Sequence, residues 1–303
     1  ISDKMGREIS FCTPMSHFTE NLNLQEKQIG ISISDSSDID KFGISVEMFK
    51  DITIELTRHI LKANGRMIYG GDLRDKGFTE LFRELAKQYG QKEKAEFDVQ
   101  YIKNYLSWPL YNDITKEKLA DYLASRILLV NAKPGNAVGP DEMKRFIPKR
   151  VSKEAMLKWA TSLTQMRIDS IEESDARIIA GGMMQGFSGF MPGIAEEFMI
   201  AYEKKKPIFL IGGFGGCAHI IANIIEGKAN SKSLSDVSFQ DEIYMEFIEW
   251  VAKYDHKVDY GFFDQIKIED LNNGLKPVDN LRLFKSVDII EIVSLVLKGL
   301  KNI

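Results

Sequence analysis

The first clear pattern is an alternation. Ile29, Ile31 and Ile33 are spaced by Gly30, Ser32 and Ser34, and this period of two predicts a strand over 29–34. A polar loop follows, and from residue 45 to 63 the apolar positions Val46, Phe49, Ile52, Leu56 and Ile60 recur at helical spacing before Asn64-Gly65 supplies a left-handed stop. The pattern then repeats, with a strand over 66–69, a glycine-bearing turn and a helix from 78 to about 89. Two such βα units in tandem predict a parallel sheet with right-handed crossovers. Downstream the pattern predicts strands over 96–105, 127–131, 177–180 and 207–211. Helices are predicted over 116–124, 153–173, 193–204, 217–225, 241–254 and 288–300. The fold class is therefore α/β, a Rossmann-like, doubly wound and mainly parallel sheet with a C-terminal helical extension.

The organisation expected is an N-terminal segment 1–29 with Phe11, Met15 and Phe18 as anchors, a core over 30–229, and an extension 230–303 packed on that core as one domain. Residues 226–235 read as a polar linker. Residues 134–149 hold three prolines, two glycines and several charges, which predicts a surface insertion free to move.

Charge and cysteines narrow the function. The 303 residues carry 40 basic and 44 acidic side chains, a formal charge of -4, which argues against a nucleic-acid backbone as the main partner. No apolar run is long enough for a membrane span. Cys12 and Cys217 are too few for a disulfide framework and no signal-like segment opens the sequence, so a cytoplasmic location is expected. The start at Ile1 reads as a fragment or a processed product. His17, His59, His219 and His256 stand apart without cysteine or carboxylate at ligand spacing, so no metal is expected. Neither a P-loop nor a Gly-x-Ser-x-Gly elbow is present.

Candidate chemistry lies in the glycines. Nine of the 23 fall between Gly181 and Gly216. Such density after a buried strand and before a helix marks a place where the backbone itself approaches a ligand. In a parallel sheet ligands sit beyond the carboxyl ends of the strands. The loops expected there carry Ser34 and Asp35; Gly70, Gly71, Asp72 and Arg74; Gly181, Gly182, Met183, Gly186, Ser188 and Gly189; and Gly213 and Phe214. Met191, Pro192 and Gly193 open a helix whose first turn holds Glu196 and Glu197. Helix N-termini near Gly77, Gly193 and Gly216 are candidate phosphate cradles, and Arg74 offers a planar fork of donors. Glu196 and Glu197 have two readings: carboxylates acting on or holding a ribose, or helix-start acids opposing the dipole. Trp108 and Trp159 read as base-stacking or as core residues. Tyr244, Phe247 and Val251, with the apolar run 289–296, read as intrachain packing or as a self-association surface.

The strings Ile31-Ser32-Ile33-Ser34, Tyr69-Gly70-Gly71-Asp72-Leu73-Arg74, Gly181-Gly182, Met191-Pro192-Gly193-Ile194-Ala195-Glu196-Glu197 and Gly212-Gly213-Phe214-Gly215-Gly216 resemble the SLOG superfamily, named for its Smf/DprA and LOG members. The resemblance covers about 29–225 and is closest to the bacterial conflict-system clusters that accompany TIR or sirtuin-like effectors. It implies a sensor for a nucleotide or NAD-derived second messenger, such as a cyclic ADP-ribose isomer. It also implies an antiphage effector upstream or in a partner chain, and a homo-oligomer. The alternative it implies is a LOG-like enzyme that cleaves the N-glycosidic bond of a nucleoside monophosphate, with Glu196 or Glu197 as the catalytic carboxylate. Pro192-Gly193 and the glutamate pair fit that enzyme's motif. Ile194 and Ala195 stand where its glycine-threonine phosphate grip would begin, which weakens it.

Overall fold

A computed structural model describes residues 22–36, 38–71, 73–92, 100–254 and 256–303. Asp72 and the anchors Phe11, Met15 and Phe18 lie outside these. Six strands, β1 (Gln28–Ser34), β2 (Arg66–Gly70), β3 (Ile102–Leu106), β4 (Ile127–Asn131), β5 (Ala176–Gly181) and β6 (Ile208–Ile211), form one sheet in the order β4-β3-β2-β1-β5-β6. Every pairing is parallel. The chain thus builds outward from β1 to β4, then returns to place β5 on the other side of β1. The gap between the ends of β1 and β5 is the switch point at which an open parallel sheet leaves a crevice.

Helices cover both faces, as a parallel sheet requires. On one face Ile29, Ile31 and Ile33 pack with α1 (Val46–Lys62), α2 (Phe78–Lys92) and the late helix α10 (Ile289–Leu300). Ser45 caps α1 by accepting the Met48 N–H, and its apolar stripe at Phe49, Ile52, Leu56 and Ile60 is fully buried. α3 (Lys116–Ala124) precedes the edge strand β4. The other face carries α4 (Lys153–Glu173), α5 (Gly193–Glu203) and α6 (Gly216–Ile225), where Ile179, Phe198, Leu210 and Ile221 share one core.

Three elements depart from the sequence pattern. The 226–235 stretch read as a linker runs into a short helix, α7 (Lys232–Ser238), and a second seven-residue helix, α9 (Pro277–Leu283), follows α8 (Glu242–Ala252). The third strand is limited to Ile102–Leu106, and residues 96–99 of its expected span lie outside the described residues. The 134–149 insertion is pinned in this structure. Trp108 Nε1 donates to the Met143 carbonyl at 3.1 Å, Asn112 Nδ2 to the same carbonyl at 2.7 Å, and Trp159 Nε1 to the Ile147 carbonyl at 2.9 Å. Both indoles are buried, so their role here is to pack and to hold this segment. Tyr244, Phe247 and Val251 bury against Met156 and Ala160 of α4, and Ile292, Val293 and Val296 bury in the main core, so intrachain packing occupies those faces.

Candidate functional site

Because all six strands run the same way, the exits of β1, β2, β5 and β6 lie along one edge. At the switch point their backbones interlock. The Gly182 N–H donates to the Ser34 carbonyl at 3.0 Å, and the Cys217 N–H donates to the Gly182 carbonyl at 3.1 Å. Gly181 and Gly182 turn with φ of 66° and 110°, a region that side chains other than glycine avoid.

The two helix starts at this rim differ. At α6 the Asp38 carboxylate accepts the Gly216 N–H at 2.9 Å, while the Ser36 hydroxyl donates to the same carboxylate. The chain's own acid therefore occupies the positive end of α6, where the sequence placed a phosphate cradle. At α5 the N-cap is Pro192, and no side chain caps the helix.

Behind α5 lies a buried network of two arginines and two glutamates. Arg177 on β5 is 0% exposed; its Nε donates to Ser32 Oγ at 2.7 Å and its Nη2 to Glu197 Oε2 at 2.6 Å. Its register partner on β1 is Gly30, where a Cβ would come within 2.4 Å of Arg177 Nη1, so the guanidinium crosses β1 only because that position is glycine. The Ser32 hydroxyl also donates to Glu197. Arg167 on α4 donates to Glu196, which takes a second hydrogen bond from the Thr164 hydroxyl. Arg167 Nε stands 3.8 Å from Glu197 Oε1 and, though buried, has no hydrogen-bond partner. A Cβ at Gly193 would lie 2.9 Å from Arg167 Nη2, which places this guanidinium at the uncapped start of α5. Both glutamates are buried, and each meets an arginine.

The loop between β5 and α5 is held from outside the sheet. Asp241, the N-cap of α8, accepts the Tyr244 N–H at 3.1 Å, the Gly186 N–H at 3.2 Å and Arg150 Nη2 at 2.9 Å. Arg150 also donates to the Phe187 carbonyl at 2.8 Å, and the Tyr244 hydroxyl donates to the Phe190 carbonyl at 2.6 Å. The Phe187 ring meets Tyr244 edge-on and Phe190 stacks on Phe247. Burial works to raise the pKa of Asp241, but the bonds from Arg150 and from the Tyr244 and Gly186 amides outweigh it and hold the carboxyl below its usual range. Burial pushes the Tyr244 phenol well up, with Tyr260 adding to the effect, so it stays a neutral donor.

The sequence-chosen residues fall into three groups. Ser34, Gly181, Gly182, Ser188, Gly189, Met191, Pro192, Gly193, Glu196 and Glu197 belong to the switch-point rim or to the network beneath it. Asp35, Met183 and Gly186 are exposed at that rim. Gly70 and Gly71 end β2, with exposed Arg74 beyond them. Gly213 lies against the Ser286 backbone and Phe214 is buried against Phe49. Arg167, Arg177, Ser32 and Thr164 carry no such sequence signal, because they reach Glu196 and Glu197 only through the packing of α5 against α4, β1 and β5. The one local signal was an arginine inside an otherwise apolar strand.

The SLOG cluster2 family profile matches residues 23–283, and the chain belongs to that family. No curated protein matches it. Among solved structures it is similar to the X-ray structure of TM1055, a structural genomics target, at 16% identity and a TM-score of 0.36, over 69% of this chain and 88% of that one. No helix among the described residues is long and apolar enough to cross a membrane.

Proposed function

We propose that this chain is a sensor domain for a nucleotide or NAD-derived second messenger, such as a cyclic ADP-ribose isomer. In this reading the ligand sits at the β1/β5 switch point and regulates an antiphage effector, attached upstream or in a partner chain, through oligomerisation. The observation that carries it is the start of α5. There no side chain caps the helix, the Arg167 guanidinium lies against Gly193 and glycines turn the chain, a combination that favours an anionic ligand held without turnover. Membership of the SLOG family supports the class of ligand. Binding should raise the melting temperature, since a ligand at 100 times its dissociation constant adds about 2.7 kcal/mol. Cyclic ADP-ribose isomers, ADP-ribose, NAD and nucleoside monophosphates are the panel. No shift with any of them at millimolar concentration would overturn the reading.

The LOG-like glycosidase is the second reading, favoured by the glutamate pair next to Pro192-Gly193. Its carboxylate must face the anomeric carbon, whereas Glu196 and Glu197 both face arginines. It requires release of free base from a nucleoside monophosphate and loss of that release in Glu197→Gln. Chromatography showing the nucleotide intact after long incubation removes it.

A further inference from the structure

A hollow of about 340 Å³ opens past the ends of β2 and β3 and under the insertion. Three of its walls are cationic: Arg74 after β2, Lys118 in the first turn of α3, and Lys149 from the insertion. Asp113 is its single carboxylate, and Phe146 lines it with a ring 49% exposed. In a chain of net charge -4 this is a local reversal of sign. It continues from the end of the insertion to the start of α4, where residues 144–153 include five basic and no acidic side chains.

Solvated surface lysines account for any one of these cations, but not for how the wall is built. A loop without a core of its own is fixed by the hydrogen bonds from Trp108, Asn112 and Trp159. Lys149 is itself placed over the Trp159 ring at 4.6 Å. A basic wall held in place before any ligand arrives spends little entropy on binding. Clustered cations match a phosphate, and an exposed aromatic ring beside them matches a planar base.

The geometry points to this hollow as a second anchoring point of the site: Arg74, Lys118 and Lys149 hold a phosphate or pyrophosphate, and Phe146 stacks the attached base. The inference rests on the proposed function for the identity of the ligand as a nucleotide derivative, and not for the anion. Titration calorimetry on the full chain tests it with pyrophosphate, adenosine and ADP-ribose. Lys118→Glu and Lys149→Gln should each weaken pyrophosphate and ADP-ribose by about tenfold. Phe146→Ala should weaken ADP-ribose by a similar factor and leave pyrophosphate unchanged. Lys232→Gln, on α7, is the control and should change neither. Pyrophosphate binding that fails in wild type, or survives unchanged in both lysine variants, overturns the inference. ADP-ribose bound equally by wild type and all three variants also overturns it, while leaving the sensor reading intact. Pyrophosphate bound through the lysines with no nucleotide bound at all supports the phosphate anchor and removes the sensor reading.

Discussion

Arg177 is a full charge in the middle of a sheet, and such a charge persists only when paired and hydrogen-bonded. Ser32 and Glu197 supply both conditions. Removing Arg177 leaves buried Glu197 with only the Ser32 hydroxyl and an Arg167 nitrogen 3.8 Å away, whereas removing both leaves an apolar gap, which is far milder. Arg177→Met should therefore lower the unfolding free energy by about 3–5 kcal/mol, and Arg177→Met with Glu197→Leu should recover most of it. Urea unfolding measures this; a single variant as stable as wild type would show that the pair carries no such weight. By sequence Arg177 is the first residue of an apolar strand and nothing more. Its partners lie 145 and 20 residues away, and the parallel register of β1 with β5, along with the packing of α5, brings them together.

Long or well-capped helices are legible in the sequence. The helices α1 and α4 carry many turns of apolar spacing or strong cap residues, and their sequence-predicted bounds agree with the structure to within a residue. α7 and α9, at seven residues each, span two turns and offer too few positions for a period to stand out. α8 was legible as a helix, but its cap's second task was not. Asp241 is an ordinary N-cap by sequence, yet it also binds Gly186 and Arg150. Asp241→Ala should cost about 1–2 kcal/mol through the cap alone. The folded carboxyl is held below its usual pKa, so its stabilisation is present above the unfolded value of about 3.9 and is lost as pH falls through the folded one. The gap in melting temperature between wild type and variant should accordingly narrow below about pH 4. A gap independent of pH would mean the ionised form of Asp241 contributes nothing.

At the scale of the whole molecule, tandem βα units announced a parallel sheet, but not that β5 would turn back beside β1. That choice is what sets a switch point between β1 and β5. It also sets the glycine loop between two bodies, the insertion and the C-terminal helices, which meet it through Arg150, Asp241 and Tyr244. A ligand that orders this loop must act on both, because Arg150 bonds the Phe187 carbonyl and the Asp241 carboxylate through the same nitrogen. Hydrogen exchange should thus show ligand-dependent protection in 181–193 together with 143–150 and 242–252. In Arg150→Ala the ligand should still raise the melting temperature, because Arg167 and the α5 start are untouched, but protection should shrink to 181–193. Protection that stays spread over all three segments in that variant would show that the coupling runs by another path.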